Sequence, residues 1–299
     1  MKHTHVLLSF LSFAACAQAK LNVVATLPDY AAIASAVGGG HVDITALAKP
    51  TEDPHFVDAR PSFVVKLKAA DALIEGGAEL EIGWLPPLLQ SARNSKIEAG
   101  QPGRITASQG LRLMNVPTEV TRAAGDVHAL GNPHFGVDPI IAKAIAKHIA
   151  ASFSVLDAAN AADYQANEKA FEDTINAKLQ EWGKALLPYR GQSLVAYHDS
   201  WVYFAHRFGF TIDVFLEPKP GIPPSPSHLA EVIGKIKAGH IKAILVEPFH
   251  NHKIAEKVSS ATGAHVVEFA QYPGALPNTD SYVALIDVLV SHLAAALAK

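Results

Sequence analysis

From Leu21 onward, short runs of β-branched and aliphatic residues alternate with longer stretches rich in Ala, Leu, Lys and Glu, and the alternation runs twice. Between the two passes lies Ala158–Leu187, about thirty residues with no glycine before Gly183 and no proline before Pro188. As a helix this stretch would be roughly 40 Å long, enough to bridge two lobes. Strand–helix alternation on both sides implies parallel sheets with right-handed crossovers. The expected fold class is therefore α/β: two doubly wound parallel-sheet lobes joined by one long rigid helix. The expected bounds are 20–157 for the N-terminal lobe, 158–188 for the linker helix and 189–299 for the C-terminal lobe.

In the first pass, strands are expected at Leu21–Leu27, Val42–Leu47 and Ala72–Glu75. Helices are expected at Tyr30–Val37, Ser62–Lys68, Glu81–Gln90 (interrupted by Pro86-Pro87) and Ile140–Phe153. Asp138-Pro139 supplies an N-cap and a first-turn proline for the last of these. In the second pass, strands are expected at Ser193–Tyr197, Thr211–Leu216, Ala243–Glu247 and Ala264–Phe269. The intervening helices are Ser200–Arg207, His228–Lys237 behind a Ser227 cap, Asn251–Thr262 and Ser281–Leu297.

The first nineteen residues stand outside this pattern. Lys2, an apolar run over Val6–Ala17 and Ala17-Gln18-Ala19 form a secretory signal peptide, too short to span a bilayer. Export to the periplasm is expected. Phe13-Ala14-Ala15-Cys16 also resembles a lipoprotein cleavage box, which leaves a lipid-anchored form through Cys16 as the alternative. Without Cys16 the mature chain has no thiol, so it must rely on core size rather than disulfides.

Charge excludes one class of partner. The formal net charge is −3 and no basic block occurs, so no nucleic acid is expected. Histidine is the outlier at 15 residues against a single cysteine, so metal chemistry here would use imidazole and carboxylate.

Four residues lie in loops just beyond expected strands, where doubly wound sheets bind ligands. His55 and His134 sit in an echo, Asp53-Pro54-His55-Phe56 and Asn132-Pro133-His134-Phe135, where proline stiffens the loop. His198 follows the strand Ser193–Tyr197, and Asp280 precedes the last helix. Three imidazoles and one carboxylate would make a tetrahedral N3O site. Each has a plainer role: a lone loop histidine is ordinarily a surface residue, and Asp280 could simply cap the helix. The spacing of the four carries no local metal motif.

These residues also carry a resemblance. The chain resembles the metal-binding solute receptors of bacterial ABC importers, the cluster of zinc-uptake receptors and adhesin-type lipoproteins. It does so through Val23–Thr26 with Pro28, Asp53-Pro54-His55 with Pro61-Ser62, and Asn132-Pro133-His134 with Asp138-Pro139. Tyr197-His198-Asp199, Gly221 with Pro224-Ser225 and His228-Leu229, Ile244–Pro248 and Thr262-Gly263-Ala264 continue it. The resemblance implies one metal in the cleft between the lobes, held by His55 and His134 from one side and His198 and Asp280 from the other. It implies an ABC permease and its ATPase as partners, a monomer, and no enzymatic activity. Members that favour manganese often carry a carboxylate at the third position. His198 stands there, and nitrogen-rich ligation suits zinc as the transported ion better than manganese.

Two departures are visible. The His/Asp-rich loop common before the second ligand is reduced to Ala123–Gly131, with only Asp126 and His128. His250 and His252 beside the Ile244–Pro248 strand suggest a weak auxiliary site or two solvated residues. Glu247 could accept a ligand N–H or replace Asp280. A zinc hydrolase, with Glu247 as base, and a periplasmic metal chaperone without a transporter are the alternative functions.

Overall fold

A computed structural model describes residues 19–121, 125 and 127–299. Residues 1–18 of the expected signal peptide, with Cys16, and Asp126 of the shortened loop lie outside the described residues.

Two four-stranded parallel sheets form the framework. The first has the order β2-β1-β3-β4, from β1 (Leu21–Ala25), β2 (Val42–Ala46), β3 (Ala72–Glu75) and β4 (Arg104–Thr106). The second repeats that order as β6-β5-β7-β8, from β5 (Ser193–Ala196), β6 (Thr211–Phe215), β7 (Ala243–Val246) and β8 (His265–Glu268). All six pairings are parallel. The inner strands β1, β3, β5 and β7 read as mostly apolar runs because helices cover both faces, leaving no polar face to alternate with.

The helices are α1 (Pro28–Gly38), α2 (Pro61–Ala69), α3 (Leu85–Ala92), α4 (Pro139–Leu156), α5 (Ala161–Leu186), α6 (Val202–Phe208), α7 (Pro226–Gly239), α8 (His252–Thr262) and α9 (Tyr282–Leu297). Five of them open on prolines in the first turn, where a missing N–H costs nothing. That rule corrects one expectation: Pro86 and Pro87 do not interrupt a helix from Glu81 but start α3 at Leu85. Ser225, rather than Ser227, caps α7 by accepting from the His228 N–H. The three-residue strand β4 was not expected from the sequence, because Arg-Ile-Thr offers too short an apolar pattern.

The 26-residue α5 is the joining rod, and it packs against α1 and α4 on one side and α9 on the other. Tyr164, Phe171, Ile175, Trp182 and Leu186 bury one stripe of it, the rest being charged and solvated. One apolar core therefore runs through both lobes, with a second, smaller one beneath α7 and α8.

Polar contacts fasten the lobes beside the cleft. Arg207 donates from Nε and Nη2 to the two carboxylate oxygens of Asp138, each at 2.8 Å, while Asp138 caps α4. The Tyr203 hydroxyl donates to the Asn132 carbonyl at 2.7 Å and the Tyr282 hydroxyl to the Gly136 carbonyl at 2.8 Å. Such fastening favours small loop adjustments over wide hinge motion.

Candidate metal centre

Asp53-Pro54-His55 and Asn132-Pro133-His134 fold alike. In each, the residue before proline turns its side-chain oxygen onto the histidine backbone N–H: Asp53 Oδ1 accepts from His55 at 3.0 Å, and Asn132 Oδ1 from His134 at 2.9 Å. Proline keeps the first residue extended, which brings its short side chain level with the amide two residues on. The Trp84 indole N–H, donating to the Pro54 carbonyl at 2.9 Å, fixes the first loop further. His198 arrives differently, two residues beyond the end of β5.

The three imidazoles converge from the loop after β2, the loop before α4 and the end of β5. Their ring centroids are 5.0 Å (His55–His134), 5.4 Å (His55–His198) and 5.3 Å (His134–His198) apart. One nitrogen from each lies within 4.8 Å of the others. Ligand atoms around one tetrahedral zinc would be roughly 3.3 Å apart, from bonds of 2.0–2.1 Å. An inward adjustment of about an ångström or less would close the ring on an ion.

Each Nδ1 is engaged by an acceptor behind it. His55 Nδ1 meets Asp53 Oδ1 at 2.8 Å, His198 Nδ1 meets Glu217 Oε2 at 2.9 Å, and His134 Nδ1 meets Gln271 Oε1 at 3.1 Å. Carboxylate and amide oxygens only accept, so the proton sits on Nδ1 in all three. The Gln271 amide is oriented by its own Nε2, which donates to the Ser200 hydroxyl at 3.1 Å. With Nδ1 turned to its acceptor, each ring has Nε2 as the nitrogen left for an ion. The Nε2 atoms of His55 and His134 are buried without a hydrogen-bond partner, as ligand atoms awaiting an ion would be.

The protonation states differ. Burial, reinforced by the neighbouring histidines, holds His134 well below the ordinary imidazole range, so it is neutral and ready to ligate. Burial pulls the same way on His198, but the Glu217 carboxylate outweighs it and raises that histidine above its usual value. Burial also raises Asp53, yet hydrogen bonds and attraction from His55 leave it below the ordinary carboxylate range.

The other expected residues fall as follows. Asp280 is exposed and outside the group of three imidazoles; nor does it cap α9, because Ser281 does so through the Ala284 N–H. Thr279 accounts for this: its hydroxyl donates to the Leu276 carbonyl at 2.6 Å, tightening a turn that leaves Asp280 facing solvent. Glu247 is fully buried but does not accept from a triad imidazole; Glu217 does so for His198. His128 stands beside the triad, its ring 5.3 Å from His55, with a buried, unpartnered Nε2. His250 flanks the opposite side, 6.0 Å from His198. His252 spends its ring nitrogen on the Glu247 carbonyl at 3.2 Å.

Glu217 and Gln271 were missed from sequence. Glu217 did carry a signal, since it follows β6 as Glu247 follows β7. Gln271 carried none.

Comparison with known proteins agrees with this geometry. Residues 23–296 match the family model described as zinc-uptake complex component A, periplasmic. The manganese-binding lipoprotein MntA of Bacillus subtilis is 27% identical over 86% of this chain and 78% of its own. The high-affinity zinc uptake system protein ZnuA of Brucella suis is 28% identical over 56% of this chain and 50% of its own. A crystal structure of ZnuA superposes with a TM-score of 0.77 at 23% identity, over 93% of this chain and 99% of that one, which speaks to the fold. The chain belongs to the zinc-uptake component A family, the metal-binding solute receptors of ABC importers, which are not enzymes.

Proposed function

We propose that this receptor captures zinc in the periplasm, as a monomer, and delivers it to an ABC permease and its ATPase. His55, His134 and His198 are the protein ligands, each through Nε2, and water or His128 takes the fourth position that Asp280 was expected to fill. The observation that carries the reading is the convergence of three imidazoles whose outer nitrogens are all engaged, leaving only the inner lone pairs free. Three nitrogen donors with no carboxylate among them favour zinc over manganese, which prefers more oxygens. Family membership supports the transporter partners and an extracytoplasmic location. Processing after Ala19, rather than lipidation at Cys16, gives the soluble form.

The carboxylates and amide behind the ligands set the chemistry. Asp53 and Glu217 make their imidazoles more basic donors and draw a cation in, while Gln271 holds His134 from the opposite lobe. Binding then ties both sheets to one ion, and the permease would read that closed arrangement.

The test is metal content by plasma mass spectrometry after chelator stripping and re-exposure to equimolar zinc and manganese. One zinc held at the triad, lost in His198→Ala, is the expected result. Retention of manganese in its place, or zinc indifferent to His198, would overturn the reading.

A further inference from the structure

The segment Glu247–His250 has no part in holding the triad, yet it keeps a carboxylate and an imidazole buried beside it. Glu247 is 0% exposed at the end of β7. The Ser200 hydroxyl and the Trp201 indole N–H interact weakly with its carboxylate, but neither oxygen receives a hydrogen bond of good geometry. The His250 ring is stacked on Tyr197, with centroids 4.2 Å apart and planes within 10°, which fixes where its nitrogens point. Its Nε2 is buried, has no hydrogen-bond partner and lies 3.6 Å from Glu247 Oε2.

That separation is too long for a hydrogen bond. It is close to the roughly 3.3 Å between two ligand atoms on one tetrahedral zinc. The backbone turn that sets it is closed by the His250 N–H donating to the Glu247 carbonyl at 3.0 Å. His250 also lines a cavity of about 20 Å³ together with His55, His198 and Asp53, room for one water molecule or ion. His134 itself does not line it.

We infer that Glu247 and His250 form a second, weaker position for a zinc-type divalent cation, with His250 on the wall of the cavity that also holds His55 and His198. Water completes its coordination from the side of the cavity that His250 lines. The inference rests on the triad reading only for the identity of the cation.

Chelator-buffered zinc titration of the mature chain, with the bound ions counted by native mass spectrometry, tests it. Two zinc ions per chain are expected, the second bound about 100-fold or more weaker than the first. His250→Phe keeps the stack on Tyr197 and Glu247→Gln keeps the shape of the carboxylate. Each should lower the count to one and leave the tight ion unchanged within about threefold, while His252→Ala keeps both. His134→Ala should weaken the tight ion and spare the other. Near-ultraviolet circular dichroism confirms that each variant is folded.

A wild-type count of one, abolished by His134→Ala, overturns this inference and leaves the triad reading standing. Two ions of which neither responds to His134→Ala overturns the triad reading instead. A second ion that survives both His250→Phe and Glu247→Gln places it elsewhere on the chain and sinks the proposal. So does a tight ion weakened more than tenfold by His250→Phe, which would make His250 a ligand of the first.

Discussion

The two lobes share a strand order but supply the metal centre by different means. The N-terminal lobe gives two histidines on proline-stiffened loops, and the partner of His55 Nδ1 is Asp53, two residues away. The C-terminal lobe gives one histidine at a strand end, whose partner Glu217 comes from beyond the neighbouring strand, 19 residues on. It also sends Gln271 across the cleft to His134, 137 residues distant in the chain. Positioning within a few residues survives small shifts between strands. Positioning by a neighbouring strand or the opposite lobe needs the tertiary structure intact.

The lobes also differ in buried charge. The N-terminal lobe encloses Asp29 and Glu81, both pushed up to about 7 by burial. Glu81 is well supplied, accepting from the Thr26 hydroxyl at 2.7 Å and the Gly76 N–H at 2.7 Å. Asp29 lies against Gly136, where any side chain would collide with its carboxylate, and its Oδ1 has no partner. In the C-terminal lobe Glu247 is likewise raised to about 7 by burial, and burial also raises Asp199.

The largest effect should come from the residue that joins the lobes. His134→Ala removes the most deeply buried ligand, and zinc affinity measured by competition with a chelator should fall by about a thousandfold or more. A loss under tenfold would mean that the N-terminal lobe does not hold the ion.

Stability should then depend on pH through these buried carboxyls. A carboxyl raised in the folded state contributes fully below its unfolded value, and that contribution is lost as pH rises through about 7. Asp29→Asn removes the loss. It should stabilise the metal-free chain by about 2 to 4 kcal/mol at pH 8 and by little at pH 4, in urea melts. Equal effects at both pH values would show that Asp29 is not protonated on folding.

Changing the partners behind the ligands sharpens the contrast between local and tertiary positioning. Glu217→Gln and Asp53→Asn should each weaken zinc about 10- to 100-fold. The Glu217 variant should lose more, because His198 has no local turn to hold it. The reverse order would reverse the comparison.

Acid should act through the C-terminal lobe. His198 is raised by Glu217 and must lose its proton to ligate, whereas His134 is already neutral. Affinity should therefore fall about tenfold per pH unit below the raised value of His198 and level off above it. Calorimetry in buffers of different ionisation enthalpy should find one proton released per zinc in the falling range. Glu217→Gln should move that range to lower pH, and a range unmoved by it would assign the proton elsewhere.

The smallest effect is expected at Asp280. Being exposed and outside the triad, Asp280→Ala should leave zinc affinity within about twofold. A tenfold loss would restore it as a ligand that swings in on binding.

What the chain declared by itself was whatever local chemistry enforces. Continuous β-branched runs, first-turn prolines and an uninterrupted helical stretch specified two α/β halves and a rod between them. The Asp-Pro-His and Asn-Pro-His echo specified two stiff loops, because proline acts on its neighbours whatever the tertiary fold. Only the folded molecule decided which carboxylates and amides stand behind the imidazoles. Glu217 and Gln271 reach them through strand order and lobe contact, which leave no periodicity in the sequence. It also set where Asp280 stands, exposed and outside the group of three imidazoles, beside the turn that the Thr279 hydroxyl closes on Leu276. That the two sheets repeat one strand order was equally invisible, since topology is fixed by crossovers and packing while the residues filling each strand are interchangeable.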